Sequence, residues 1–218
     1  MRMCRLFIVC LIAAATAFAG PIVVGNPPNS NNCFPFGCAS GTRYQQVYDA
    51  GQFSGPIDIG KLQFYADYYT ADANLLATGT WSIYLSTTPY AVNDIDSRAF
   101  DLNLGADNML FAVVVGGVVI PNVWTIPGST FSYDPSAGNL LLDIHASLTS
   151  SGSLFLNARS FTGGAAFSRW HNFGSLFDNY GLITGFDTAE GVIPEPGAFV
   201  LAGLGLAALA LLRRTRRV

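Results

Sequence analysis

The 218-residue sequence predicts an all-β protein, an antiparallel β-sandwich of jelly-roll-like topology. An N-terminal signal helix and a C-terminal transmembrane helix are expected to flank it. Three observations carry that expectation. Short runs rich in β-branched and aromatic residues alternate with period two. Gly/Pro/Asp turn chemistry separates them at regular intervals. Between the two ends no stretch shows sustained helical periodicity, although 97–104 suits a helical turn.

The chain opens with a short basic stretch, Met1-Arg2-Met3-Cys4-Arg5, and then an unbroken apolar run over residues 6–15. Ala17-Phe18-Ala19 places small residues at the −3 and −1 positions, which predicts a signal peptide over 1–19 cut before Gly20. The run falls short of the roughly 20 apolar residues a spanning helix needs. Export through the Sec machinery follows from this reading, and with it an oxidising compartment.

An N-terminal segment over 20–42 comes next. It holds the two cysteines left once Cys4 and Cys10 are removed with the leader, Cys33 and Cys38 in Cys33-Phe34-Pro35-Phe36-Gly37-Cys38. In an oxidising compartment an even pair favours a disulfide over a metal site. A bridge across so short a loop stabilises by no more than the roughly 3 kcal/mol expected for a loop of fifteen residues.

The strand-rich domain is expected over 43–189. Its predicted strands cover 44–48, 57–65, 80–86, 109–115, 118–120, 130–133, 139–146, 153–158, 166–170 and 182–186. Gly116-Gly117 reads as a turn or bulge. Ser54-Gly55-Pro56, Pro127-Gly128, Asp134-Pro135-Ser136-Ala137-Gly138 and Thr162-Gly163-Gly164 supply the turns.

Charge separates this domain from its ends. Arg2, Arg5, Arg213, Arg214, Arg216 and Arg217 hold six of the eleven basic residues. Arg43, Lys61, Arg98, Arg159 and Arg169 remain, against thirteen acidic residues, for a body charge of −8. A nucleic-acid groove needs clustered Lys/Arg to neutralise phosphates, so nucleic acid is not an expected partner.

Residues 190–218 form the tail. Pro194-Glu195-Pro196 is held extended, because proline fixes φ and disfavours helix in the residue before it. An apolar helix is predicted over 198–212, and Arg213, Arg214, Arg216 and Arg217 fill the basic end 213–217. Positive charge directly after an apolar helix keeps that end cytoplasmic. Fifteen residues give about 22 Å of helix against a hydrocarbon core of roughly 30 Å, which suits a transient tether in the inner membrane.

This three-part arrangement resembles the PEP-CTERM sorting tail of Gram-negative bacteria. The resemblance implies processing by an exosortase, a membrane transpeptidase-like enzyme, near Pro194–Pro196. It also implies a cell-surface or extracellular destination and an association with exopolysaccharide and biofilm. Tyr44-Gln45-Gln46-Val47-Tyr48, Ser54-Gly55-Pro56-Ile57, Ile83-Tyr84-Leu85-Ser86-Thr87-Thr88 and the run from Tyr133 to Ile144 are similar to the bodies of uncharacterised PEP-CTERM proteins. That similarity brings no activity with it.

Catalytic signatures are absent from the sequence. There is no Gly-x-Ser-x-Gly elbow, no His-Glu-x-x-His, and the only histidines are His145 and His171. Glycoside hydrolysis needs two facing carboxylates, and the body's one glutamate, Glu190, lies in the linker to the tail. Asn93, Asp94, Asp96, Asp101 and Asp107 lack the spacing of a calcium loop and read as solvated turn residues. No cofactor or metal is expected.

The expectation is therefore a non-catalytic surface or matrix protein. Trp170 and His171 are candidate glycan contacts, as are Tyr65, Tyr68, Tyr69 and Trp124 if exposed. One alternative is a polysaccharide-active hydrolase with an unrecognised site. A third reading is ice binding, since the same tail occurs on some ice-binding proteins, but only Thr78-Gly79-Thr80 resembles the threonine array it needs.

Overall fold

A computed structural model describes residues 20–39, 41–68, 73–95, 99–172 and 179–188. The leader 1–19, the residues 189–218 with the predicted tail helix, and Pro194, Glu195 and Pro196 all lie outside these described residues. Gly20–Glu190 forms one unit by its own contacts. Among the described residues no helix is long and apolar enough to cross a membrane.

Among the described residues the fold is all-β, with every strand pairing antiparallel and only two short 3₁₀ turns, Ala50–Gln52 and Phe100–Asn103. Twelve strands follow in chain order: β1 Ile22–Val24, β2 Ser30–Asn32, β3 Arg43–Tyr48, β4 Ile57–Tyr65, β5 Thr78–Thr88 and β6 Met109–Val115. Then come β7 Val123–Tyr133, β8 Asn139–Ser150, β9 Leu156–Ser160, β10 Phe167–His171, β11 Tyr180–Leu182 and β12 Thr184–Thr188. They build a four-stranded sheet, β1-β12-β4-β7, and a five-stranded sheet, β10-β3-β8-β5-β6. A three-stranded sheet, β11-β9-β2, completes the body.

Period-two burial explains why these segments pair. In β7, Trp124, Ile126, Phe131 and Tyr133 point inward while Val123, Thr125 and Ser132 face solvent. The inward rows of all three sheets merge into one buried cluster. At one end Phe36 touches Phe64, Trp81 and Trp124 at ring-centroid distances of 5.3, 5.4 and 5.0 Å. At the other, Phe186 packs edge-on against Tyr48 at 4.9 Å and Phe53 at 5.4 Å. Phe36 thus bridges Trp81 of β5 and Trp124 of β7, and Tyr48 of β3 packs on Phe186 of β12, which ties the two larger sheets together.

Register fixes where the chain enters and leaves. Ile22 lies opposite Phe186 and Val24 opposite Thr184, so β1 starts beside the end of β12. Entry and exit therefore share one end of the four-stranded sheet. Tyr65, which pairs with Val123, sits at the opposite end.

Several elements differ from the sequence expectation. Residues 20–42 were expected ahead of the strand domain, yet β1 is an outer strand of the four-stranded sheet and β2 pairs with β9. Residues 118–120 form no strand beyond a single Leu75–Val119 bridge. Pro127-Gly128 was expected to turn, yet β7 runs straight through. It is a sheet edge, where a missing N–H costs no ladder bond. The ladder absorbs the irregularity by a register shift between Ile59 and Lys61.

Candidate functional site

The described surface has a cleft in which an aromatic ring, carboxamides and a carboxylate converge. It holds about 260 Å³ and is lined by Val23, Asn26, Pro28, Tyr65, Asp67, Asn157 and Ile183. Tyr65 is the last residue of β4 and points outward. Its ring leans across to β12, because a Cβ on Gly185 would lie 2.7 Å from the Tyr65 hydroxyl, and glycine leaves that space free. The hydroxyl donates to Gln63 Oε1 at 3.1 Å. Burial, with the negative charges of Asp187 and Asp67, raises the Tyr65 pKa, so the phenol stays neutral and can both donate and accept.

Asn157 fixes the floor. It is almost fully buried in β9, and its Oδ1 accepts from the Asp67 and Tyr68 backbone amides at 3.2 and 2.9 Å. Its Nδ2 donates to Asp67 Oδ1 at 2.6 Å. One carboxamide thus holds the chain as it leaves β4 and aims Asp67, with the half-exposed Tyr68 beside it. Tyr69 lies outside the described residues.

A second polar cluster occupies the outer face of the five-stranded sheet. Arg43 of β3 meets the buried Asp143 of β8 through two bonds, Nε to Oδ1 at 3.0 Å and an NH2 nitrogen to Oδ2 at 2.8 Å. Its remaining terminal nitrogen reaches Asp101 at 2.6 Å. His145 Nε2 lies 3.0 Å from Asp143 Oδ2, and its ring is tilted against Tyr84 at 5.0 Å. Gln45 Nε2 donates to the Phe100 carbonyl, and Asn103 Nδ2 donates to Gln45 Oε1. These bonds strap the segment after β5 onto the sheet over Val47, Ile95 and Leu141. Every strong contact here is already made within the chain, which marks a fastening.

The remaining expected residues fall elsewhere. His171 is 4 % exposed and faces the interior beside Tyr44, so it offers no ring to a ligand. Trp170 is half-buried and stacked near Phe100 at 5.5 Å. Trp124 is in the core with Phe36. Alternation decides all three, since odd and even positions of a strand face opposite sides. Cys33 and Cys38 form a disulfide with Cα atoms 5.3 Å apart. Asp101 belongs to Arg43, and Asp107 Oδ1 accepts from the Thr87 amide at 2.8 Å. Asp96 lies outside the described residues. Among the described residues no three His, Cys, Asp or Glu side chains gather as metal ligands.

The sequence named Tyr65 and Tyr68 as candidate contacts but not the cleft around them, because its parts come from β1, β4, β9 and β12. Only Gly185 inside an alternating run signalled that another group approaches the backbone there.

No curated protein and no solved structure matches the chain. A PEP-CTERM sorting motif implies an exported, membrane-anchored precursor that an exosortase processes. Residues 192–217 match the PEP-CTERM protein-sorting motif, and this chain therefore carries that motif directly behind a β-rich body.

Proposed function

We propose that the processed body is a non-catalytic cell-surface or matrix protein that contacts exopolysaccharide through the Tyr65 cleft. The observation that carries this reading is Tyr65 itself, leaning over Gly185 with Gln63 and Asp67 beside it, at the end of the sheet away from the tail's exit. A sugar ring presents an apolar C–H face and a rim of hydroxyls. An aromatic face edged by amides and a carboxylate matches both.

The architecture suits this reading. With β1-β12-β4-β7 in one sheet and β3-β8-β5-β6 in the other, every connection among these eight strands except β5 to β6 crosses between the sheets, which is the order of an eight-stranded jelly roll. β10 extends one sheet, and β2, β9 and β11 form an added flap. Lectin domains use this scaffold, although a shared scaffold does not by itself transfer function. The leader, Sec export and a transient inner-membrane tether complete the route.

The test is affinity electrophoresis of the processed protein in gels cast with the host's own exopolysaccharide. Wild type is retarded. Tyr65→Ala weakens retention on the order of tenfold, equivalent to about 1.4 kcal/mol of ring contact. Equal migration of the two proteins, or no retardation of either, rejects the cleft. Sizing the polymer afterwards separates the readings, since a hydrolase shortens the chains and a binding protein leaves them intact.

A further inference from the structure

Given the polysaccharide reading of the Tyr65 cleft, on which this step rests, we infer that its ligand is an amino-sugar polymer with free, cationic amino groups. An ammonium group is held by two kinds of partner, the face of an aromatic ring and a carboxylate. The cleft presents both. Tyr65 supplies the ring and Asp67, two residues on, the carboxylate, and both line the same space of about 260 Å³. Asn157 Nδ2 donates to one oxygen of Asp67 at 2.6 Å, and Asn157 Oδ1 accepts from the Asp67 backbone amide at 3.2 Å. The carboxylate is thereby fixed in place while it stays exposed.

Charge decides between an amine and the other common substituents of a sugar ring. Among the described residues no basic side chain lines the cleft. Arg159 reaches the neighbouring loop, where a terminal nitrogen donates to the Gly25 and Pro27 carbonyls at 3.4 and 3.1 Å. Its guanidinium lies over the Phe161 ring. Lys61, four residues before Tyr65 on β4, stands opposite Asp187 of β12. Burial raises the Tyr65 pKa, and the charges of Asp187 and Asp67 raise it further, so the field at the phenol is negative. The body charge of −8 attracts a polycation at longer range and repels a polymer of uronic acids. An uncharged sugar would use the ring alone and leave Asp67 without a counter-charge.

Two modest contributions set the size of the preference. An exposed carboxylate–ammonium pair strengthens binding by up to about fivefold. A cation over an exposed aromatic face contributes by a similar factor. An acetylated nitrogen loses both, so the free amine is favoured on the order of tenfold. Loss of the Asp67 charge alone removes one of the two, about threefold.

The test is affinity electrophoresis of the processed protein against the host's exopolysaccharide in three forms, each read against a polymer-free gel. The forms are the native polymer, the polymer N-acetylated with acetic anhydride, and the polymer reductively methylated at its amines. Acetylation weakens retention on the order of tenfold. Methylation adds bulk but keeps the charge, and retention stays. Asp67→Asn weakens retention on the native polymer about threefold and changes nothing on the acetylated one. Asp94→Asn removes the same charge from an exposed residue outside the cleft and leaves both unchanged. Circular dichroism shows each variant folded, as expected for exposed positions. Acetylation without effect, while Tyr65→Ala still weakens retention, overturns the amine and leaves the polysaccharide reading standing. Methylation as damaging as acetylation, or Asp94→Asn as damaging as Asp67→Asn, overturns it too, because shape or net charge would then be what the polymer senses. No retardation of wild type by the native polymer rejects the polysaccharide reading and the amine with it.

Discussion

Phe36 is fully buried between β4, β5 and β7, inside the loop that Cys33 and Cys38 close. Two forces compete to explain that loop's order, and magnitude decides between them. The bridge spans a sequence separation of only five, so its contribution stays at or below about 3 kcal/mol. Removing a buried phenyl ring costs about 3–5 kcal/mol. The loop also keeps other anchors when the bridge is gone, since Trp81 Nε1 donates to the Pro35 carbonyl at 3.0 Å and the Ala77 amide donates to that of Phe36 at 2.8 Å. Phe36→Ala is therefore expected to lower the denaturant midpoint more than the Cys33→Ser, Cys38→Ser double variant, and the reverse order would show that the bridge is the dominant restraint. Cysteine parity was readable in the sequence. That a phenylalanine between them plugs the core was not, because nothing local says which of Phe34 and Phe36 turns inward.

At the scale of elements, the described residues between β5 and β6 form no strand and are held to the five-stranded sheet by side chains. The Arg43–Asp101 pair is the exposed part of that clasp. The hydrogen bond from Arg43, with its charge, lowers the Asp101 pKa below the ordinary value of 3.8. A lowered carboxyl stabilises the clasped form above its ordinary pKa, and that contribution is lost as pH falls through the lowered value. Acrylamide quenching of tryptophan fluorescence should therefore rise below about pH 4, because Trp170 stacks near Phe100 under this segment while Trp81 and Trp124 stay in the core. Asp101→Asn should show the raised quenching at neutral pH, and Trp170→Phe should remove the change. A pH-independent signal would mean that Gln45, Asn103 and the apolar contacts hold the segment unaided. Strands β3, β4 and β5 were legible because period-two patterning continued for several residues. The extent of β7 was not, because proline reads as a break unless the strand is known to lie at an edge.

On the scale of the whole molecule, leader and tail attach to neighbouring strands at one end of one sheet, and β12 pairs on both sides before the tail begins. Cutting at either end removes no strand, so the body should survive both cleavages intact. Intact mass and terminal sequencing of the protein from cells are expected to show a start at Gly20 and an end near Pro194–Pro196. The mass should be lower by the two hydrogens lost in the Cys33–Cys38 bridge. Glu195→Ala should leave the tail in place, and a full-length product from wild type would refute the processing scheme. The sorting tail, the acidic body and the all-β class were determined by the sequence alone, because each rests on order and composition along a contiguous stretch. Which rings face solvent, which edge stays open, and the meeting of Tyr65 with Gly185 were decided only by the tertiary structure. Those depend on register between strands more than a hundred residues apart, where a shift of one position exchanges the two faces of a strand.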